Sequence, residues 1–247
     1  MSHSQLSSRK ANYGIDAPRV VLTMLGVGIA GIALWLISTF TLLSNVFQPV
    51  FWGVFGASFL LIAAGFVWSS KIGKLRLRDN ILGRIDWHGD EMVLDVGCGR
   101  GLLLIGAAKR LTSGKAVGVD IWSKVDLSGN NPAATLENAK IEGVTDRVEV
   151  RDADARDLPF PESTFDLVLS SSVIHNIKTK EGREKAISEM ARVLKPGGRI
   201  YLSDIFHLRE YVELLKRMDM SDVQRLRVTF LFFQPGVLIT AKKPLNS

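Results

Sequence analysis

The uncharged stretch over residues 20–70 limits most strongly what this chain can fold into, because it contains no Asp, Glu, Lys, Arg or His. Its apolar composition is interrupted only around residues 44–49, which divides it into Val20–Leu43 and Val50–Ser70. At about 1.5 Å of rise per residue, either segment is long enough as a helix to cross a hydrocarbon core of roughly 30 Å. A buried hairpin of a soluble protein would normally keep a polar face. The pattern therefore predicts two transmembrane helices over residues 20–70.

Basic residues lie on both sides of this stretch, whereas the turn between its two segments carries no charge. The positive-inside rule places Lys-rich and Arg-rich flanks on the cytosolic side. The sequence therefore predicts an integral membrane protein with both termini on the cytosolic side and a cytosolic tail over residues 1–19. The basic residues concerned are Arg9, Lys10, Arg19, Lys71, Lys74, Arg76 and Arg78.

Small residues recur at a spacing of four on each segment, as Gly26 with Ala30 and Gly53 with Ala57. This spacing lets helix backbones approach closely. It suits packing within the hairpin or between two copies of the chain, so that a homo-oligomer is one of two open alternatives.

Residues 71–86 mix Ile72, Leu75, Leu82 and Ile85 at helical spacing with basic side chains. This pattern predicts a juxtamembrane basic helix near the lipid headgroups. A solvated first helix of the next domain fits the same pattern. Its basic residues account for much of the formal net charge of +6, so the charge requires no nucleic-acid partner.

The chain has a single cysteine, Cys98, and four histidines. It has no internal disulfide for that reason, and no Cys/His cluster has the spacing of zinc ligands. The sequence predicts no metal site.

Residues 87–247 alternate short apolar runs with helical patterns, which is typical of a parallel sheet covered by helices. The first five strands are predicted at Met92–Val96, Ala116–Asp120, Val148–Arg151, Phe165–Ser170 and Arg199–Ser203. Helices are predicted at Leu102–Leu111, Ala133–Lys140, Arg183–Leu194 and Leu208–Met218.

Turn residues mark the ends of several of these elements. Pro132 occupies a first helical position, and Gly143 stands where the same helix should stop. Pro235 and Gly236 separate the apolar runs Leu226–Phe233 and Val237–Ala241, which are predicted to pair as an antiparallel hairpin.

The first predicted strand carries Asp95 and runs through the glycine-rich segment 97–101 into a helix. Glycines here allow a sharp turn and a close approach of the backbone to a ligand. A nicotinamide dehydrogenase would need a glycine at position 102, where this chain has Leu102. A neighbouring carboxylate also opposes a pyrophosphate, whereas it favours a cationic sulfonium cofactor.

The second predicted strand ends at Asp120, which is placed to accept hydrogen bonds from the ribose hydroxyls of an adenosine. A glycine-rich turn or a strand-end acid is often only structural when it occurs alone. Their occurrence in order on successive strands indicates an adenosine-containing cofactor.

With these motifs the chain resembles the class I S-adenosylmethionine-dependent methyltransferases, in particular the branch of ubiquinone, menaquinone and sterol methyltransferases. The resemblance covers roughly residues 91–241 and rests also on Asp154–Phe160, Phe165–Ser170 and Arg192–Gly198. It implies an α/β fold with a Rossmann-like seven-stranded sheet in the order 3-2-1-4-5-7-6, strand 7 antiparallel, behind the two-helix transmembrane hairpin.

The resemblance implies S-adenosylmethionine as cofactor and assigns its contacts by position. The glycine loop would hold the methionine portion and Asp120 the ribose, while Ile121 would pack on the adenine. Asp154 and Ala155 would meet the adenine amino edge, and two serines would line the methionine side. The implied cofactor-binding residues are Asp95, Gly97, Gly99, Gly101, Asp120, Ile121, Asp154, Ala155, Ser170 and Ser171.

A general base is needed only if the methyl acceptor must lose a proton. His175 follows the fourth predicted strand, near the carboxyl ends where such folds bind ligands, and is the best candidate. A histidine bonded to a nearby backbone carbonyl for structural reasons fits the same position. Asp204 and His207 are weaker candidates on the same geometric argument. The loop Trp122–Asn131 forms either part of the cofactor rim or an ordered surface loop.

An active site held beside a bilayer meets membrane-dissolved molecules often, so a small hydrophobic or lipid-like acceptor is the leading hypothesis. The residues 170–173 lack the Asn/Asp-Pro-Pro-aromatic motif of many nucleic-acid amino methyltransferases, and one cysteine is too few for an arsenite methyltransferase. A soluble small-molecule acceptor and a membrane protein that binds the cofactor without turnover remain as alternatives.

Overall fold

The computed structural model describes residues 9–41, 47–228 and 236–245. Two long helices, α1 (Pro18–Phe40) and α2 (Phe47–Trp68), come first. By length and composition they are apolar enough to cross a membrane, and only 17% and 11% of their most apolar windows are buried in the protein. Most of the turn predicted between them, residues 42–46, lies outside the described residues.

Glycines bring α1 and α2 into backbone contact. A Cβ at Gly31 would lie 2.7 Å from Gly56 Cα, and a Cβ at Gly28 would lie 2.7 Å from the side chain of Leu60. The helices therefore run in opposite directions at a close crossing. Of the predicted small residues, Gly53 packs on the Trp35 ring of α1, within the hairpin, whereas no described atom beyond the neighbouring backbone of its own helix lies within 4 Å of a Cβ at Gly26.

Helix α2 continues through one π-helical turn (Ser69–Gly73) into α3 (Lys74–Leu82). The side chains of Ile81, Leu82 and Ile85 are buried in a hydrophobic cluster that they share with the next domain. The apolar side chains of residues 81–85 thus pack on protein, as the alternative of a first domain helix predicts, whereas Ile72, nearer the hairpin, is 41% exposed. The position of this helix near lipid headgroups stays a prediction. The boundary predicted between residues 86 and 87 is crossed by this packing.

A seven-stranded sheet forms the core of the remaining chain, in the predicted order β3-β2-β1-β4-β5-β7-β6 with β7 antiparallel to both neighbours. Apolar side chains alternate between its two faces, since Leu94 belongs to one hydrophobic cluster and Val93 to the other. The strands are β1 (Met92–Val96), β2 (Lys115–Asp120), β3 (Val148–Asp152), β4 (Phe165–Ser171), β5 (Leu194–Asp204), β6 (Ser221–Arg227) and β7 (Val237–Lys242).

The helices that cover the sheet are α4 (Leu102–Ala108), α5 (Pro132–Ile141), α6 (Lys180–Val193) and α7 (Leu208–Arg217), with short 3-10 turns at Thr145–Arg147 and Ile174–Asn176. Helix α5 begins at Pro132 as predicted, and Asn131 caps it by accepting a hydrogen bond from Ala134 N at 2.9 Å. Gly143 follows the helix end with a φ of 72°.

Several boundaries differ from the prediction, including the start of α6 at Lys180 and not at Arg183. Helix α4 ends at Ala108, before the predicted Leu111. Strand β5 begins at Leu194, because Leu194 pairs with Phe165 ahead of an irregularity that includes Gly197 at a φ of 80°. Strand β6 occupies Ser221–Arg227, so that most of the predicted Leu226–Phe233 strand and Pro235 lie outside the described residues.

The segment before α1 is part of the folded domain. We call residues 12–17 the strap. Its Ile15 O accepts a hydrogen bond from Ser128 N at 3.0 Å, and Ala17 N donates to Asp126 O at 2.9 Å. Tyr13 is only 8% exposed within the second hydrophobic cluster. The cytosolic tail predicted over residues 1–19 is therefore packed against the domain from residue 12 onward, while residues 1–8 lie outside the described part.

Candidate functional site

A cavity of about 950 Å³ opens at the carboxyl ends of β1 and β2. We call it the central cavity. Its lining includes Asp95, Asp120 and the loop between β1 and α4, together with the end of β4 and the strap. Open α/β sheets bind ligands at this edge, where the strand order reverses beside β1.

The glycine loop presents bare backbone to the cavity. Gly97 N and Cys98 N both donate to Val119 O, at 2.8 and 3.0 Å, which turns the chain sharply out of β1. Gly97 has a φ of 73°, and a Cβ there would lie 2.2 Å from Val173 Cγ2. Gly101 caps α4 in the left-handed region with a φ of 85°. Residues other than glycine would be strained at both positions. Gly101 is not among the residues that line the cavity, and a Cβ there would lie 2.8 Å from Ile105 Cδ1, so it shapes the start of α4 and not the predicted cofactor contact.

Asp95 is a buried carboxylate at the floor of the cavity. It is 2% exposed, and its Oδ2 accepts a hydrogen bond from Leu104 N at 2.9 Å. Burial raises the pKa of Asp95 to about 7, with the nearby Asp120 adding to the rise. Desolvation disfavours the ionised form of such a group, and a bound cation would restore it.

Asp120 holds the loops on either side of the cavity. Its Oδ2 accepts from Gly99 N at 2.8 Å, and its Oδ1 accepts from Trp122 N at 2.5 Å and from Asn130 Nδ2 at 3.2 Å. An ionised carboxylate has about four acceptor positions, so three internal hydrogen bonds leave capacity for a ligand hydroxyl. The structure therefore gives Asp120 a loop-fixing task besides the predicted contact with a ribose.

The residues predicted to contact the adenine line the cavity. Ile121 is 68% exposed and lines the cavity together with Asp154 and Ala155. The Asp154 carboxylate pairs with the Arg156 guanidinium at 2.5 Å, and this hydrogen bond lowers the pKa of Asp154. Asp154 is thus ionised and paired, and it lines the same cavity as the exposed apolar side chain of Ile121.

The two predicted serines at the end of β4 have different positions. Ser171 lines the cavity, as the resemblance implies. Ser170 is fully buried, and its hydroxyl donates to Val96 O at 2.9 Å between β4 and β1. Successive side chains of a strand point to opposite faces, so only one of the pair can face the ligand. Ser170 acts in strand packing, which departs from its predicted role.

His175 lines the cavity and is held by a buried carboxylate. Its Nδ1 contacts Asp204 Oδ1, and its backbone N donates to Asp204 Oδ2 at 3.1 Å. Asp204 is 0% exposed, and the Tyr211 hydroxyl donates to its Oδ2 at 3.5 Å. This arrangement gives His175 the Nδ1–H tautomer and leaves Nε2 as a proton acceptor. Burial next to Asp204 raises the pKa of Tyr211, which keeps that hydroxyl protonated.

Of the two weaker candidates, one belongs to this arrangement and one does not. Asp204 lies behind His175 and orients its ring. His207 is 41% exposed at its side chain and lies 3.6 Å from Glu210, away from the residues that line the cavity. The loop Trp122–Asn131 supplies Val125, Asp126 and Leu127 to the cavity, so it is part of the rim.

No local sequence pattern indicates the residues that connect the strap to the site. Asn138 Oδ1 accepts from Asn12 N at 2.9 Å, while its Nδ2 donates to Asn12 O at 3.0 Å and to Arg100 O at 2.9 Å. Lys74 is 6% exposed, and its Nζ donates to Tyr13 O at 2.8 Å and Gly14 O at 2.9 Å. In the sequence, Asn138 and Lys74 are ordinary polar residues of predicted helices. Only the structure shows that both side chains are buried.

The described residues contain no group of three or more His, Cys, Asp or Glu arranged to hold a metal ion. The single cysteine, Cys98, is buried beside Asp95 and Asp120, and burial raises the pKa of its thiol well above the usual value. It is a packing residue next to Gly118.

Comparison with known proteins agrees with this geometry. Residues 94–202 match the protein family described as a methyltransferase domain. A demethylmenaquinone methyltransferase from Symbiobacterium thermophilum is 38% identical over 112 residues, 45% of this chain and 41% of that protein. The sterol 4-C-methyltransferase strm-1 from Caenorhabditis elegans is 28% identical over 168 residues, 68% of this chain and 47% of that protein.

The fold is also found in solved structures. The crystal structure of a SAM-dependent methyltransferase from Aquifex aeolicus has a TM-score of 0.57 at 19% identity, and it covers 70% of this chain and 93% of that one. The chain spans about half the length of the curated relatives it matches. The matched region, residues 94–202, is thus similar to a methyltransferase domain, and the solved structure has the same fold.

Proposed function

We propose that this chain is a membrane-anchored S-adenosylmethionine-dependent methyltransferase that acts on a small hydrophobic or lipid-like acceptor. The observation that carries the enzyme assignment is the pair of carboxylates, Asp95 and Asp120, beside bare glycine backbone in one cavity. Carboxylate oxygens accept hydrogen bonds and attract positive charge, so this pair suits an adenosine that carries cationic groups. It does not suit a pyrophosphate, which needs free amides without neighbouring acids.

The chain's residues divide the work of binding and orientation. Asp95 faces the cationic methionine end, and Asp120 has acceptor capacity for a ribose hydroxyl. Ile121 offers an apolar face for the adenine. When bound, S-adenosylmethionine supplies a methyl group on a positively charged sulfur, and its carbon–sulfur bond breaks as the acceptor's bond to that carbon forms. Alignment of the two reactants accounts for most of the acceleration that such a site provides.

His175 is proposed to take the proton that an acceptor hydroxyl or activated ring carbon loses. Its Nε2 is the available acceptor because Asp204 occupies Nδ1. The proton moves from the acceptor to Nε2, and the positive charge that develops on the ring is balanced by the Asp204 carboxylate.

Membrane anchoring is supported by where α1 and α2 expose their apolar side chains. Leu22, Ile29 and Phe40 on α1 are 67%, 63% and 83% exposed, and Leu61 on α2 is 71% exposed. Contiguous exposed apolar surface of this size favours a lipid environment over water. A core helix of a soluble protein would be mostly buried, and a leader at the N-terminus would not explain α2. The basic residues at both flanks favour a cytosolic catalytic domain.

The acceptor class is proposed from location together with the apolar rim of the cavity. Val125 and Ile121 are 52% and 68% exposed at this rim. The two named relatives act, by their names, on a demethylmenaquinone and a sterol. Both the rim and the names fit a hydrophobic acceptor held near a bilayer.

Cofactor titration of the purified full chain tests the enzyme assignment. We expect S-adenosylmethionine to bind and nicotinamide cofactors not to bind. Asp120→Asn should weaken S-adenosylmethionine about 10- to 100-fold, because hydrogen bonds to a charged acceptor contribute roughly 1.5–3 kcal/mol. Asp146→Asn removes a carboxylate that is 74% exposed and serves as the matched control. Equal affinity of all three proteins would refute the assigned site.

Turnover and anchoring are measured separately. Incubation with lipid extract and methyl-labelled cofactor should give S-adenosylhomocysteine and a mass-shifted lipid product. Cofactor binding without any product would favour the non-catalytic alternative, and a water-soluble product alone would remove the lipid acceptor. For the anchor, the full chain should stay in the membrane pellet after an alkaline carbonate wash; release into the supernatant would contradict it.

A further inference from the structure

The central cavity extends from the cofactor cleft to the base of the helical hairpin. Its lining includes Val20 in the first turn of α1, and Phe66 and Ser69 at the end of α2 and the π-helical turn. The same continuous cavity reaches Asp95 and His175. At about 950 Å³ it is at the upper end of the usual range of roughly 300–1,000 Å³ for ligand pockets, which gives room for a cofactor and a second molecule.

Polar contacts fix the opening beside the hairpin. Asp16 N donates to Ser70 Oγ at 3.1 Å, and Asp16 Oδ1 pairs with Lys74 Nζ at 3.2 Å. These contacts hold the strap, just before α1, against the π-helical turn and the start of α3, and Val20 and Phe66 line the same cavity. This end of the cavity is therefore a defined feature of the fold at the cytosolic end of the proposed membrane spans.

Between the hairpin and the cofactor cleft the cavity is lined by apolar side chains, and a basic side chain lies at the hairpin end. Val20 is 40% exposed and Val125 is 52% exposed, although both line a cavity. Arg19 lines the same end of the cavity, at the depth where anionic or zwitterionic lipid headgroups would lie. Exposed apolar walls in water are unfavourable, and an apolar ligand would cover them.

We propose that the acceptor is an amphiphile that passes from the bilayer into the cavity between Val20 and Phe66, with its polar head towards His175 and its apolar tail left between α1 and α2. This inference rests on the proposed function, because it uses both the membrane anchor and the cofactor cleft. It differs from access through water, in which the acceptor would leave the membrane before binding.

Photolabelling of the full chain in phosphatidylcholine vesicles tests the route without requiring turnover. The probe is a long-chain alkylphenol that carries a diazirine on its ring and partitions into the bilayer. We expect labelled peptides from the Val125–Leu127 rim as well as from the exposed face of α1 around Ile29. Mass spectrometry of the digested protein locates both.

Substitutions at the opening separate the route from general accessibility. Val20→Trp should abolish labelling of residues 125–127, whereas Val20→Ala should retain or increase it. Leu22→Trp lies on the same helix at a side chain that is 67% exposed, and it should leave rim labelling unchanged. Equal rim labelling of the wild type, Val20→Ala and Val20→Trp would overturn the inference.

The experiments distinguish a failure of the proposed function from a failure of the lateral route. Absence of labelling around Ile29 would contradict the anchor itself, whatever happens at the rim. Loss of S-adenosylmethionine binding in the wild type would contradict the enzyme assignment. Labelling at Ile29 and cofactor binding without rim labelling would leave the proposed function intact and refute the lateral route alone.

Discussion

The pH dependence of cofactor binding is expected to follow the ionisation of Asp95. This carboxyl group is 2% exposed, and its burial raises its pKa to about 7. A cationic cofactor binds the ionised carboxylate, so below pH 7 it must displace a proton. Linkage then lowers the apparent affinity by a factor that approaches tenfold for each pH unit well below 7, which amounts to about 50-fold between pH 7 and pH 5.

The ionisation of Asp95 has the opposite effect on folding: a rise in pH favours cofactor binding but lowers the stability of the folded protein. The folded state binds the proton up to about pH 7, while the unfolded chain loses it near pH 4. Between these values the folded state holds more protons, so the stability of the protein without cofactor falls as pH rises from 4 to 7. Three pKa units correspond to a loss of about 4 kcal/mol across that window.

Isothermal titration calorimetry checks the binding prediction at pH 5, 6, 7 and 8. Buffers of different ionisation enthalpy report the protons released, and we expect close to one proton per cofactor at pH 6. Asp95→Asn should bind more weakly at pH 8 and lack this pH dependence, while any titration of the cofactor itself remains in both proteins. The reasoning is wrong if both proteins show the same pH profile, or if affinity rises as pH falls.

Three further predictions concern other parts of the fold. Gly97→Ala should cost about 2–5 kcal/mol in urea titration, because a left-handed alanine costs about 1–2 kcal/mol and its Cβ would overlap Val173; a cost below 1 kcal/mol would contradict it. If the acceptor must lose a proton, Asp204→Asn should lower kcat about 10²- to 10⁴-fold with an unchanged cofactor Kd, and an unchanged kcat would exclude a general base held by Asp204. Gly56→Ala should lower the thermal midpoint of the detergent-solubilised chain, because its Cβ would lie 2.7 Å from Ile32 N, whereas Gly26→Ala, with no described atom within 4 Å, should not; equal midpoints would refute the close crossing.

The order of the sheet was predictable because each strand and turn carries a local signal. Apolar runs mark the buried strands β1, β2 and β4, and Pro132 and Gly143 mark the ends of α5. Strand β6 has no such signal: it is an edge strand that pairs only with β7, and most of its side chains are exposed. Its sequence is therefore polar, and the more apolar residues that follow it led to a prediction several positions too late.

Residues of the candidate site were predictable where the backbone dictates the residue type. Gly97 and Gly101 are required by positive φ, and Asp95 and Asp120 follow from their places in adjacent strands. Contacts between distant parts of the chain had no such signal. Asn12 and Asn138 are 126 positions apart, and only the folded chain brings them together. Likewise the carboxylate behind His175 comes from β5, 29 positions away.

The strap connects the helical hairpin to the central cavity through hydrogen bonds. Lys74, at the start of α3, binds the carbonyls of Tyr13 and Gly14, and Asn138 joins the strap to the carbonyl of Arg100 in the glycine loop. Each step is a hydrogen bond of a side chain that is buried, where an unpaired polar group would cost roughly 1–3 kcal/mol. A rotation of the domain relative to α1 and α2 would break several of these bonds at once. The orientation of the cavity relative to the hairpin is therefore set by contacts that also reach the glycine loop, so that the end of the cavity lined by Val20 and Phe66 keeps its place beside the hairpin.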